Sequence, residues 1–165
     1  MQLRMIFLQM MIPVLMVILS SCGGSARNKT DVLDKLAGEW TQDFAQSRPV
    51  PDPRLVSRTH RWERLGPDKM RHSSNRIFAD GTSTPVENQI DDYSGEPYPD
   101  GEEGNTSVFR RIDSKTIQQV RSKDGQIMRF LERKFSENGN ILTIRTLGVD
   151  AKGGVVQTSG VYNKN

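Results

Sequence analysis

From residue 38 to its end the chain reads as short runs in which apolar and polar side chains alternate, broken by glycine, proline, asparagine and aspartate. Alternation with a period of two marks half-buried β-strands, and regular punctuation marks the turns between them. The first run opens at Gly38-Glu39-Trp40 and reaches about residue 44. Arg48-Pro49-Val50-Pro51-Asp52-Pro53 follows as a connection, since proline cannot donate to a sheet ladder. Further strands are expected over 55–65, 69–78, 82–92, 106–112, 116–122, 126–135, 141–147 and 155–162. Asp80-Gly81 carries the strongest hairpin signal, and the acidic, glycine- and proline-containing stretch 94–104 reads as a loop. Nothing after Trp40 sustains a 3.6-residue apolar period. The pattern predicts an all-β fold, an antiparallel up-and-down barrel or half-open barrel of about eight to ten strands. One short helix precedes it, capped by Thr30, running through Leu36, with Val32, Leu33 and Leu36 on one face.

The amino terminus follows another rule. Arg4 is the only charge before Cys22, and residues 5–19 are apolar apart from Gln9 and Pro13. That run is shorter than the roughly 20 residues a membrane-spanning helix needs, and it has the layout of a secretory signal. It ends in Leu19-Ser20-Ser21-Cys22, which resembles the lipobox of bacterial lipoproteins. The resemblance implies lipidation of Cys22, cleavage before it and a membrane anchor; without it, the reading is plain secretion or an uncleaved anchor. Cys22 is the only cysteine, so the domain has no disulfide. The expected layout is a signal peptide over 1–21, a lipid-anchored tether with the short helix over 22–36, and the β domain over 37–165. Gly23 stands where an aspartate favours retention in the inner membrane. The implied location is therefore the cell envelope, at the outer membrane facing the periplasm.

Composition narrows the class. Net charge is +3 with acids and bases interspersed, which does not make the single-sign surface of a nucleic-acid binder. Only 35% of the chain is hydrophobic, and the signal holds a large share of it. So thin an apolar content suits a barrel with a polar or solvent-filled interior.

Several segments together resemble a lipocalin-like, calycin-type β-barrel domain of small bacterial secreted proteins. They are Gly38-Glu39-Trp40, Asp92-Tyr93-Ser94-Gly95 with Tyr98-Pro99, 108–113, Lys123-Asp124-Gly125, Ser136-Glu137-Asn138-Gly139 and Val161-Tyr162-Asn163-Lys164. The resemblance implies that Trp40 plugs the closed end of the barrel, that Gly38 turns the chain into the first strand, and that Tyr162 is a structural residue of the last. Two departures matter. The Arg-x-Tyr with which fatty-acid-binding proteins hold a carboxylate reads Gly160-Val161-Tyr162, and the Thr-Asp-Tyr of lipocalins survives as Asp91-Asp92-Tyr93. A small hydrophobic or amphipathic ligand is the expected partner; the alternative is an envelope interaction or structural protein.

Candidate chemistry is sparse. With a turn at Gly66-Pro67-Asp68, His72 falls beside Trp62 and His60 beside Ser74, so the two imidazoles are expected to be solvated and not to face each other. No ligand set completes a metal site, no cofactor motif occurs, and no nucleophile constellation points to an enzyme. Asp91, Asp92, Glu96, Asp100, Glu102 and Glu103 read as a solvated acidic stretch, with Asp91 and Asp92 on opposite faces. Arg129 and Arg133 share a face and, with Arg145, could meet an anionic head group; the plainer reading makes them the polar outer face of the same strands. Trp62, Tyr93 and Tyr98 are expected to line a cavity or to join the core, and Trp62 to matter less to stability than Trp40.

Overall fold

The computed structural model describes residues 31–49, 52–84, 87–150 and 153–165. The signal, the lipobox with Cys22 and Thr30 lie outside the described residues. A five-residue helix, α1 (Val32–Leu36), precedes ten strands. These are β1 (Gly38–Arg48), β2 (Leu55–Arg64), β3 (Lys69–Phe78), β4 (Glu87–Asp92), β5 (Tyr98–Pro99), β6 (Asn105–Arg111), β7 (Thr116–Lys123), β8 (Gln126–Phe135), β9 (Ile141–Val149) and β10 (Val155–Lys164). They form one antiparallel sheet in the order β4-β3-β2-β1-β10-β9-β8-β7-β6-β5. Pairing of β1 with β10 joins the two ends of the meander, with Trp40 opposite Lys164. Among the described residues, the barrel is left unladdered only between β4 and β5.

One end is plugged. Val32, Leu33 and Leu36 of α1 are buried against Trp40, Trp62, Met70, Phe109, Ile117, Phe135 and Leu142. Each such side chain contributes about 1.5–3 kcal/mol of burial. α1 is thus part of the domain core, not of the tether, and the domain boundary moves ahead of residue 32. The cap is Asp31, whose Oδ1 accepts from the Leu33 N–H at 3.2 Å. Trp40 is fully buried, and its Nε1 donates to the Leu36 carbonyl at 2.9 Å, satisfying a helix end that has no partner of its own. Gly38 stands at φ +120°, a conformation open to glycine, and a Cβ there would press on Lys164 Cε at 3.1 Å. Arg64 pairs with Asp31 at 2.8 Å and with Asp34, and Arg111 reaches Asp31 at 3.4 Å, tying the helix to the strand ends; Arg111 also pairs with Asp68 in the β2–β3 turn.

Three boundaries differ from expectation. β1 runs on to Arg48 because residues 44–47 bulge out between the pairs Asp43–Val161 and Arg48–Ser159. Ser47 holds that bulge: its Oγ donates to the Asp43 carbonyl at 2.7 Å and accepts from the Val161 N–H at 3.1 Å. The expected strand 82–92 contracts to β4, preceded by a single bridge between Ile77 and Ser83. The acidic loop contains β5, which pairs Tyr98 with Ser107.

Candidate functional site

Side-chain parity separates the interior into two halves. Next to α1 the inward positions are apolar. Farther along the same strands they become Arg58 and His60 on β2, His72, Ser74 and Arg76 on β3, Gln89 and Asp91 on β4, Ser107 on β6, Gln119 and Arg121 on β7, and Arg129 and Arg133 on β8. The far half of the barrel is therefore lined by charged and hydrogen-bonding groups.

At the boundary between the halves stands an aromatic stack. The Trp62 and His72 rings lie 4.6 Å apart and nearly parallel, His60 stacks on His72 at 5.1 Å, and Tyr162 meets His60 edge-on at 5.1 Å. The expected register is observed, with Trp62 opposite His72 and His60 opposite Ser74. The expectation that the imidazoles do not meet is wrong, because diagonal neighbours on a twisted sheet approach each other. His60 Nδ1 and His72 Nε2 are 2.9 Å apart and share a hydrogen bond. Both residues are half-buried inside the barrel. Burial, reinforced by His72 and Arg58, holds His60 well below the usual histidine range. Burial and Arg133 bring His72 down to about 3. Both are neutral at physiological pH.

A polar chain crosses β5 to β8. Arg121 Nε pairs with Asp100 at 2.7 Å, Ser107 Oγ donates to Asp100, Gln119 Nε2 donates to Ser107 at 3.1 Å, and Arg133 Nη1 donates to Gln119 Oε1 at 3.2 Å. Arg133 is 5% exposed, lies over the Phe109 ring at 5.0 Å, and leaves its buried Nε without a partner. Across the β4–β5 seam, Tyr98 Oη donates to Asp91 at 3.3 Å and Gln89 Nε2 donates to it at 2.6 Å. Burial nevertheless raises the Asp91 carboxyl above its ordinary range, offset in part by Arg133. Asp91 and Asp100 are thus interior groups, which corrects their reading as part of a solvated stretch; Asp92 points the other way and is half-buried.

Three cavities adjoin at the end away from α1. The first, about 730 Å³, opens along the seam among Gln89, Tyr98, Asp100, Arg121 and Arg129. The second, about 490 Å³, lies among Gln42, Arg58, Arg76, Thr158 and Tyr162. A third of about 360 Å³ touches both, sharing Arg129 and Val149 with one and Thr146 and Thr158 with the other.

The residues singled out from sequence fall in different places. Arg129 lines the first and third cavities, whereas Arg133 lines none of the three and is buried against Gln119 and Phe109. Arg145 is corrected to the outer wall: Ile144 faces the second cavity, so its neighbour points to solvent and is exposed. Trp62 lines none of the three cavities; it is 2% exposed and belongs to the core. Tyr93 is packed against Phe109 at 4.4 Å. Tyr162 spans both roles, in the core and at the second cavity, and its ring demands Gly160: a Cβ there would stand 2.8 Å from Tyr162 Cε2. Sequence reasoning missed Arg58, Arg76 and Arg121. The available signal was parity, since Trp62 inward places His60 and Arg58 inward, but a charge on a strand was assumed to face water. Among the described residues no three histidine, cysteine or carboxylate groups gather to hold a metal ion.

No protein-family model and no curated protein matches the chain. Solved structures do. The fluorescent protein UnaG aligns with 81% of this chain and 99% of its own at 15% identity and a TM-score of 0.57. As-p18, an extracellular fatty acid binding protein, aligns with 82% of this chain and 99% of its own at 14% identity and a TM-score of 0.50. The chain has the fold of these calycin-type, fatty-acid-binding-protein-like β barrels.

Proposed function

We propose that this protein is a lipid-anchored barrel of the bacterial cell envelope that takes a small amphipathic ligand into the far half of its interior, without catalysis. The observation that carries the reading is the set of adjoining cavities opposite the α1 plug. Their volumes lie in the range of small-molecule sites, and they combine apolar walls, such as Ile144 and Met128, with convergent polar groups. The named fatty acid binding of As-p18, which shares the fold, supports the same class of ligand. The anchor rests on Leu19-Ser20-Ser21-Cys22, and no helix among the described residues is long and apolar enough to cross a membrane. Native mass spectrometry of protein released from its own membrane tests the reading. A co-purifying small molecule, or stabilisation by added amphiphiles, is the expected result; a clean apo mass with no stabilisation overturns it.

A second reading has its own observation. Val56, Ile90, Ile127, Leu147 and Val155 are large apolar side chains left exposed. Such exposure suits a protein partner on the barrel wall or rim. Crosslinking in cells that captures one dominant protein, with no bound small molecule, favours this alternative.

A further inference from the structure

The second cavity contains a charge arrangement that an apolar ligand does not explain. Arg58 and Arg76 are Cα partners on neighbouring strands, and both line the cavity. Like charges placed opposite each other on one face repel. Five other arginines, Arg54, Arg64, Arg71, Arg111 and Arg121, each have a carboxylate within 4 Å. Among the described side chains, no carboxylate pairs with Arg58 or Arg76. Asp52 lines the same cavity, but its carboxylate is engaged by Arg54 at 2.7 Å. Arg58 Nε is buried and has no hydrogen-bond partner. A third guanidinium, Arg48, stands at the same cavity and donates from Nη1 to the Ala45 and Ser47 carbonyls. Arg58 is half-buried and hydrogen-bonds Tyr162, and Arg76 is exposed at the cavity, so neither guanidinium is neutralised and the arrangement fits an anion that arrives with the ligand.

We propose that Arg58 and Arg76, with the hydroxyls of Tyr162 and Thr158 beside them, form a site for a phosphoryl group, the head of a phosphate-bearing amphiphile. The proposal rests on the ligand-binding reading above and names its chemical class. A carboxylate carries one charge and two oxygens, which would satisfy one guanidinium fork and leave the other unneutralised. A phosphate monoester carries about −1.5 to −2 charges at neutral pH and three acceptor oxygens, enough for both forks. Tyr162 stays a neutral donor, because burial raises its phenol, an effect that Arg58 only partly offsets. The tail would then run toward Ile144 and Thr146, where this cavity meets the third.

The test is calorimetric titration of the purified mature chain with decyl phosphate, decanoate, decanol and inorganic phosphate, all below micellar concentrations. Decyl phosphate should bind at least about tenfold more tightly than decanoate, the size of one charge-assisted hydrogen bond. Arg58→Gln and Arg76→Gln should each weaken decyl phosphate by about tenfold or more and leave decanol within about twofold, which also shows that the variants are folded. If inorganic phosphate binds as tightly as decyl phosphate, the site serves a free phosphate; if it binds more weakly, the site serves a lipid head group. Both results keep the phosphoryl assignment. Equal affinity for decanoate and decyl phosphate, or unchanged phosphate affinity in both variants, overturns it while leaving the ligand-binding barrel intact. Failure of decyl phosphate, decanoate and decanol alike to bind overturns both.

Discussion

The buried imidazole pair makes the stability of the barrel depend on pH in a calculable way. His60 and His72 have an unfolded value of 6.5, and burial lowers both in the folded protein, His72 to about 3. Between those values the unfolded chain binds protons that the folded chain does not, so stability is complete above pH 6.5 and falls as pH drops through it. A histidine kept neutral in the fold costs about 2 kcal/mol at pH 5 relative to pH 7.5, so the pair costs about 4 kcal/mol. A domain of this size has only about 5–15 kcal/mol to lose. The groups facing the pair sharpen the effect: Arg58, Arg76 and Arg133 disfavour a further positive charge, and Trp62 and Tyr162 exclude water. Asp91 acts in the opposite sense. Its value is raised, so its folded form holds a proton more readily and its contribution declines as pH rises above 3.8. The exposed carboxylates with lowered values, such as Asp52 and Asp80, lose their contribution only below about pH 4, outside the window compared here. Urea unfolding of the wild type, His60→Gln, His72→Gln and the double variant at both pH values measures the effect as a difference within each protein. Wild type should lose several kcal/mol at pH 5, each single variant about half as much, and the double variant little. A wild type equally stable at both values, or a double variant that keeps the full dependence, would show that the imidazoles are solvated.

Other outcomes follow from single side chains. Trp40→Ala and Trp62→Ala should each cost about 3–5 kcal/mol, since both indoles are buried in one core, and thermal melts should place the two variants close together. A small loss in Trp62→Ala alone would return that residue to a cavity wall. Gly160→Ala should destabilise by about 1–3 kcal/mol in urea because the new Cβ meets the Tyr162 ring, whereas Gly139→Ala, with open space around it, suffers only backbone strain. Cys22→Ala should leave an unlipidated, uncleaved precursor with an unchanged β circular-dichroism spectrum; maturation to the same size, still on the membrane, would refute the lipobox assignment.

What alternation and turn chemistry can carry was legible in the chain. Period-two patterning with Asp80-Gly81, Lys123-Asp124-Gly125 and Glu137-Asn138-Gly139 is local, so strand count, antiparallel order and the register of β2 against β3 could be read from neighbours in sequence. The same rule correctly separated Asp91 from Asp92 and put Arg129 and Arg133 on one face. Whether a face is inside or outside is not local. It is decided when β1 meets β10 across more than a hundred residues, and charge at a strand position misleads there because this interior is polar over half its length. For that reason Arg58, Arg76 and Arg121 went unnoticed, and the side of Arg145 stayed open until Ile144 was seen to take the inner one. The contact between His60 and His72 likewise needs the twist of the sheet, which brings diagonal side chains together although the register sets their Cα atoms apart. The helix was visible as a pattern of Val32, Leu33 and Leu36, but its membership in the core depends on the open barrel end it closes, and only the tertiary structure supplies that end.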